Sequence, residues 1–335
     1  MCFRILAVAA TILFWNLFSA TSTANTLAQP NLSSGIQPQT SVEWRQYDVG
    51  RQLYLSLLRN YSAFIGTVTK IDHGESSEQV TVTIDEWLWG DTSRRKSNIR
   101  LVRPHQSERS NLGSNGSSPW AGVKVQINRR LLVVSDLDTS SDGQGDIATP
   151  NNALIISDEA LFQSLRDALN FHSMLEKNSE EIVRAPDLLT KANDSILAGY
   201  VVSYLWRGTR PNSVNTEALV LSKLLASNAV PTVAWLNIRM ALTQLMLNRM
   251  APPSEQAFAS VVNDLVTMGS GDDEERATQA VKILVDISDK KALKLASFLN
   301  EQKRTRLRKI YFSNFTGSGH RNHPAFESQL QIMAH

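Results

Sequence analysis

Residues 80–91 read VTVTIDEWLWGD, and the register of this stretch decides what kind of sheet the first half of the chain builds. Val80, Val82 and Ile84 alternate with Thr81, Thr83 and Asp85, the two-residue period of a strand with one packed and one wet face. Strict alternation would carry Trp87 and Trp89 to the wet face, where two indoles would make a ligand platform. A one-residue bulge at Asp85-Glu86 would instead return Trp87 to the valine face and leave Trp89 outward, near the Gly90 turn.

Working outward, strands are predicted at Ala63 to Ile71 (AFIGTVTKI), Gln79 to Leu88, Asn98 to Arg103 (NIRLVR), Val123 to Ile127 (VKVQI) and Arg130 to Ser135 (RLLVVS). They are short, rich in Val and Ile, and separated by turn formers such as DHGESSE and SNLGSNGSSP. Val49, Leu53, Leu57 and Leu58 predict an amphipathic helix between Trp44 and Tyr61 that packs on these strands. A helix and five strands with no helical interruption predict a small five-stranded OB-like β-barrel over residues 43–136 and argue against a doubly wound sheet.

The Gly/Asp/Ser-rich stretch DLDTSSDGQGDIATPNN (136–152) places a linker over residues 137–156. From Ser157 the apolar period changes to 3.6, which predicts an all-α domain over 157–315, followed by a flexible tail, 316–335. Ser157-Asp158 caps a helix carrying Leu161, Phe162, Leu165, Leu169 and Phe171; further helices are expected over Asp187 to Trp206 and from Asn215, Pro231, Ser254, Asp272 and Asp289. Asp272 and Glu275 have the spacing of a capping box. The helix from Pro231 to Met250 is apolar all round save a strip of Asn237, Gln244 and Asn248, and is expected to be buried on most sides. Alternate helix starts recur at about 40 residues, a period compatible with stacked, HEAT-like helix pairs and equally with an irregular bundle. The fold class expected is therefore α+β multidomain, a barrel and then an α-helical domain.

The β-segment as a whole, AFIGTVTKID (63–72), VTVTIDEWLWGD (80–91), NIRLVRP (98–104) and VKVQINRRLLVVSD (123–136), resembles the netrin-module family. That family is an OB-like barrel shared with tissue inhibitors of metalloproteinases and many bacterial secreted proteins. Phe64-Ile65-Gly66-Thr67-Val68, Ile84 through Asp91 and Leu131 through Val134 stand where the family has its characteristic strands. The resemblance covers residues 60–136 and implies that Ile84 and Trp87, three apart, straddle a bulge, with Trp87 in the core and Trp89 exposed. Those inhibitors chelate a protease zinc through an amino-terminal cysteine. The chain has no such cysteine, so only the barrel carries over.

The first 24 residues, MCFRILAVAATILFWNLFSATSTA, combine Arg4, an apolar run from Ile5 to Phe18 and small residues ending at Ala24, the pattern of a secretory signal peptide. Residues 25–42 are uncharged up to that point and rich in Ser, Thr, Gln and Pro, which predicts a disordered leader. Cys2 is the single cysteine and lies in the signal, excluding disulfides, a cysteine nucleophile and thiolate metal sites from the mature chain. Without Arg4 the balance is 33 basic to 32 acidic residues, too even for bulk binding to nucleic acid. No later stretch is apolar enough to span a membrane, and the expected location is secreted or periplasmic. Five NxS/T sequons begin at Asn31, Asn60, Asn115, Asn193 and Asn314 and matter only in a eukaryotic secretory pathway.

Chemistry is sparse. His320, His323, Glu327 and His335 could share a metal, but Pro324 and the preceding glycines read as a loop. Asp136, Asp138, Asp142 and Asp146 alternate as calcium ligands do, yet miss the glycine and closing glutamate of an EF-hand and read as a solvated linker. There is no GxSxG elbow, and the SxxK spacings at Ser93 and Ser288 lack companion motifs. The basic run Lys303 to Lys309 interleaves with Leu307 and reads as a solvated helix face; an anionic lipid or polysaccharide is a secondary partner for it. Trp89, Arg94, Arg95 and Trp120 are the candidate ligand-binding residues of the barrel. The expectation is a non-catalytic, cofactor-free binding or scaffold protein with a protein partner. The competing expectation is an extracytoplasmic hydrolase of an envelope or extracellular polymer.

Overall fold

The structure, a computed structural model, describes residues 41–59, 62–75, 77–90, 97–104, 120, 123–135, 146–147, 153–192, 194–207, 213–228, 230–248, 251–291, 293, 295–315 and 323–331. The predicted signal peptide and nearly all of the predicted leader fall outside these residues, and Ser41-Val42 already belong to the first helix, α1 (Ser41–Leu57). Tyr47, Leu53, Tyr54 and Leu57 recur at helical spacing and are buried.

The strands are β1 (Ser62–His73), β2 (Ser77–Trp89), β3 (Asn98–Pro104), β4 (Arg130–Ser135), β5 (Asp146–Ile147) and β6 (Leu154–Ile156). They pair in the order β5-β3-β2-β1-β4-β6, antiparallel except for the two-residue β5. Among the described residues β5 and β6 do not pair with each other, so the sheet is open along the ladder and no closed barrel is seen. Two expectations are corrected here. Val123–Gln126 is irregular backbone rather than a strand, laying Val123 and Val125 against the sheet. Within the predicted linker 137–156, β5 and β6 are paired strands.

The bulge proves real. Gly66 pairs with Ile84 but Ile65 with Glu86, so Asp85 is the extra residue; Phe64 pairs with Trp87 but Ala63 with Trp89, so Leu88 is a second. The first bulge returns Trp87 to the valine face, where it meets Phe64 at 5.5 Å. The second turns Trp89 onto the opposite face, toward the helices. Both faces of the sheet are packed: Phe64, Leu131, Val133 and Ile155 join one core, while Ala63, Ile65, Leu132, Val134 and Leu154 join the other. Double burial explains why AFIGTV and LLVV are continuous apolar runs.

The second core continues without a break through the helices α2 (Phe162–Lys177), α3 (Ala185–Ala192), α4 (Ser195–Arg207), α5 (Val214–Ala226), α6 (Thr232–Met246), α7 (Glu255–Gly269), α8 (Glu274–Ser288), α9 (Glu301–Phe315) and α10 (Pro324–Gln331). The expected helix 187–206 is two helices, because Asp194 ends one and accepts from the Ile196 and Leu197 amides to cap the next. Asp273, not Asp272, caps α8. No helix starts at Asp289, which ends α8; α9 starts at Glu301, where Asn300 accepts from the Lys303 amide. Pro231 is the N-cap of α6 rather than its first helical residue.

Consecutive helices pair as α5/α6, α7/α8 and α9/α10. Between pairs, α5, α7 and α9 pack in one row and α6, α8 and α10 in another, with α4 beside α6. Basic side chains tie one pair to the previous one at helix C-termini, where orphan carbonyls and the macrodipole welcome a cation. Arg276 Nη1 donates to Ala226 O at 2.8 Å, Lys291 Nζ to Met246 O at 2.6 Å and Arg306 Nε to Gly271 O at 3.3 Å.

Two glycines set the seam between α1 and α4. A methyl group on Gly50 would lie 1.9 Å from Ile196 O, and one on Gly199 would lie 2.0 Å from Tyr47 O. The two backbones touch there, a closeness only glycine allows.

Candidate functional site

The residues proposed from sequence scatter. Trp120 is 1% exposed and its indole N–H donates to Val102 O at 3.2 Å, so it is a core residue covering the edge of β3 and not a ligand platform. Trp89, expected outside, is half-buried and lies edge-on to His172 at 4.6 Å. His172 is itself buried and shares a 2.6 Å hydrogen bond with the Tyr200 hydroxyl. Trp89 therefore bolts the end of β2 onto α2 and α4. Arg94, Arg95, Asp136, Asp138 and His320 lie outside the described residues.

His323 pairs with Asp289, Nδ1 to Oδ2 2.7 Å, and so fastens the start of α10 to the end of α8. Beside it the Tyr311 hydroxyl donates to Glu327 Oε1 at 2.8 Å; burial and the Glu327 carboxylate push that phenol up to about 12. Among the described residues no group of three or more His, Cys, Asp or Glu could hold a metal. The basic run is also less solvated than expected: Arg304 is buried against Glu301, and Lys303 and Arg306 reach α7 and the turn after it.

The face that remains open is on α6. This helix was expected to show only its polar strip, but Leu236 is 50% exposed and Met240 46% exposed, one turn apart. Asn237, expected in the wet strip, instead turns toward α1, its Nδ2 3.5 Å from the Tyr47 hydroxyl. Tyr47 stacks on Trp44 with centroids 5.9 Å apart, and Trp44 is 47% exposed. Val42, two residues before Trp44 and so on another side of α1, is exposed as well. Four of the eight large apolar side chains exposed among the described residues thus belong to α6 and the first turn of α1.

On the other flank of α6, Arg239 Nη1 donates to Gln279 Oε1 of α8 at 3.2 Å. Gln279, Lys282 and Asp286 lie at spacings of three and four on α8, a single ridge. Partial burial lowers the pKa of the Arg239 guanidinium and of the Lys282 ammonium, the latter also because Arg239 is near. Burial likewise raises the Asp286 carboxyl, against the pull of Arg239, Lys282 and Lys290. Charge and apolar surface thus meet on one side of the α6/α8 row. Sequence reasoning missed it because α6 is apolar nearly all round, and nothing in such a helix marks which apolar residues stay outside.

No protein-family model matches the chain, and no curated protein matches it. Among the described residues no helix is long and apolar enough to cross a membrane.

Proposed function

We propose that the protein is a secreted or periplasmic, non-catalytic binding protein that holds a protein partner on the outer face of α6 and α8. The observation that carries this is the exposure of Leu236 and Met240, one turn apart on α6, beside the Arg239–Gln279 contact. Met, Trp and Arg are the residues enriched at the centres of protein interfaces. The helix pairs act as a HEAT-like stack: α5, α7 and α9 begin at residues 214, 255 and 301, and α6, α8 and α10 at 232, 274 and 324, so the first step in each row is close to the repeat read from sequence and the second is longer. The sheet serves as an OB-like, netrin-related module, curled by its bulges and closed over its outer core by Trp120 and Val123. The amino-terminal apolar run directs the chain out of the cytoplasm.

The test is a pull-down from the native envelope or secretome with the full chain and with its Met240→Glu variant. A stoichiometric protein retained by the parent and lost by the variant supports the proposal. Retention of the same protein by both, or degradation of a polymer in the extract, defeats it.

A further inference from the structure

We infer that the helical stack carries a pH-operated latch at α5: with Glu217 neutral, the 3-10 turn Ser179–Arg184 and α3 close over α5, and with Glu217 ionised they lift from it while the other helices stay packed. This goes beyond the binding reading and does not depend on it.

α5 packs against Ser179–Arg184, α3, α4, α6 and α7. Its side toward α7 is marked by Asn215, whose Oδ1 accepts from the Ser254 amide at 2.7 Å, and by Ser222, whose hydroxyl donates to Asp264 Oδ2 at 3.0 Å. Both stand about 140–160° around the helix from Glu217, which therefore looks away from α7. Val220, Leu221 and Leu224 lie within about 60° of it and are buried, and Glu217 sits among them at 5% exposed. An acid occupies the middle of an apolar stripe.

Among the described residues no hydrogen bond or ion pair reaches the Glu217 carboxylate. The charged groups of the surrounding elements are exposed or engaged elsewhere: Arg184 with Glu181 at 2.9 Å, Asp194 with the α4 amides, Arg239 with Gln279 and Asp264 with Ser222. Glu180, Asp187 and Lys223 are exposed. Lys191 and Arg207 belong to the ends of α3 and α4, and Glu255 to the start of α7. Burial alone pushes the carboxyl up to about 7.

Once ionised, such a carboxylate needs water, because no cation or donor offsets its desolvation. Opening a small unit beside it relieves that cost more cheaply than unfolding the whole stack. The six-residue turn and the eight-residue α3 are the shortest elements against α5. By contrast, α4 is held to α1 at the Gly50/Gly199 seam and α6 to α8 through Arg239. The turn and α3 therefore give way first. The latch is shut below the ordinary carboxyl range, loosens as pH rises, and is loosest above about 7.

The test is amide hydrogen exchange of the full chain, read by mass spectrometry at about pH 5 and about pH 8.5 and corrected for the intrinsic rate at each pH. Protection of residues 179–192 is expected to fall at least about 10-fold between the two, while the amides of α8 hold theirs. Glu217→Gln keeps the shape of the side chain without its charge and is expected to leave 179–192 equally protected at both. An equal fall in Glu217→Gln, a fall shared by α8 in the parent, or unchanged protection of 179–192 at the higher pH overturns the inference.

Discussion

The seam between α1 and α4 and the open face of α6 both pair small or apolar groups on helices, yet they are built to opposite ends. At the seam, Gly50 and Gly199 bring backbone against backbone, and Tyr54, Tyr200 and Tyr204 fill the flank with rings 5.7–6.5 Å apart. Nothing larger than hydrogen fits at the crossing. On α6 the side chains Leu236 and Met240 stand half in water, with room above them. The same chemistry is packed into the fold in one place and left half in water in the other, and substitutions should separate the two cleanly.

The largest effect is expected at the crossing. Gly199→Ala puts a methyl 2.0 Å from Tyr47 O, and backbone cannot move aside as the end of a flexible side chain can. Overpacking of this kind costs about 3 kcal/mol or more, a large share of a domain's total stability. Urea denaturation should show a lower midpoint with an unchanged slope, and Gly50→Ala should do the same. If either variant unfolds within about 0.5 kcal/mol of the parent, the helices are not in backbone contact.

Within the packed interior, Glu217 of α5 tests how dry the helical core is. It is 5% exposed, and burial alone pushes its carboxyl up to about 7. An acid whose folded pKa is raised destabilises the fold when ionised: the cost is absent below the unfolded value near 4.3, grows as pH rises, and levels off above about 7. Glu217→Gln should therefore be more stable than the parent by roughly 1–3 kcal/mol at pH 8, with the difference vanishing at pH 4. Parallel denaturation curves across that range check it, and a difference independent of pH would mean that Glu217 reaches water.

The hydrogen bond between His172 and Tyr200 predicts a smaller change. Tyr200→Phe leaves a buried imidazole nitrogen without its 2.6 Å partner and should cost about 1–2 kcal/mol. Because Trp89 packs edge-on to that imidazole, its emission should shift in the variant; an unmoved spectrum would detach the end of β2 from α2.

What was legible in the sequence follows from how local each signal is. The alternation VTVTI and the offset of Trp87 fall within six residues, so the sequence could pose the bulge at Asp85 as one of two registers but not choose it unaided. The second bulge at Leu88 could not, because it depends on Ala63 and the helices beneath it, and it is what moves Trp89 from solvent to His172. Helix caps at Asp158, Ser254 and the start of α8 were readable to within a residue, since a cap is a contact between near neighbours. VKVQI has a strand's composition, but Val123 and Val125 bury themselves from irregular backbone, their burial being set by the sheet they cover. The open face of α6 was the least readable feature, for its exposure depends on what α1 and α8 leave uncovered.

The smallest expected effect on stability is at that face, where the largest effect on binding is expected. Leu236→Ser and Met240→Ser remove side chains that are 50% and 46% exposed, so each should change unfolding free energy by about 0.5 kcal/mol or less. A side chain at the centre of an interface costs about 1–4 kcal/mol of binding when truncated, which corresponds to roughly 5- to 1,000-fold in Kd. The two measurements on one variant therefore point in different directions: stability near the parent's and capture of the partner lost. Val183→Ser supplies the contrast, being similarly exposed at 53% but on the short helical turn between α2 and α3, which packs against α5. If Val183→Ser abolishes capture and Met240→Ser does not, exposure alone does not mark the docking surface, and the face of α6 is only the unfinished outside of a helix stack.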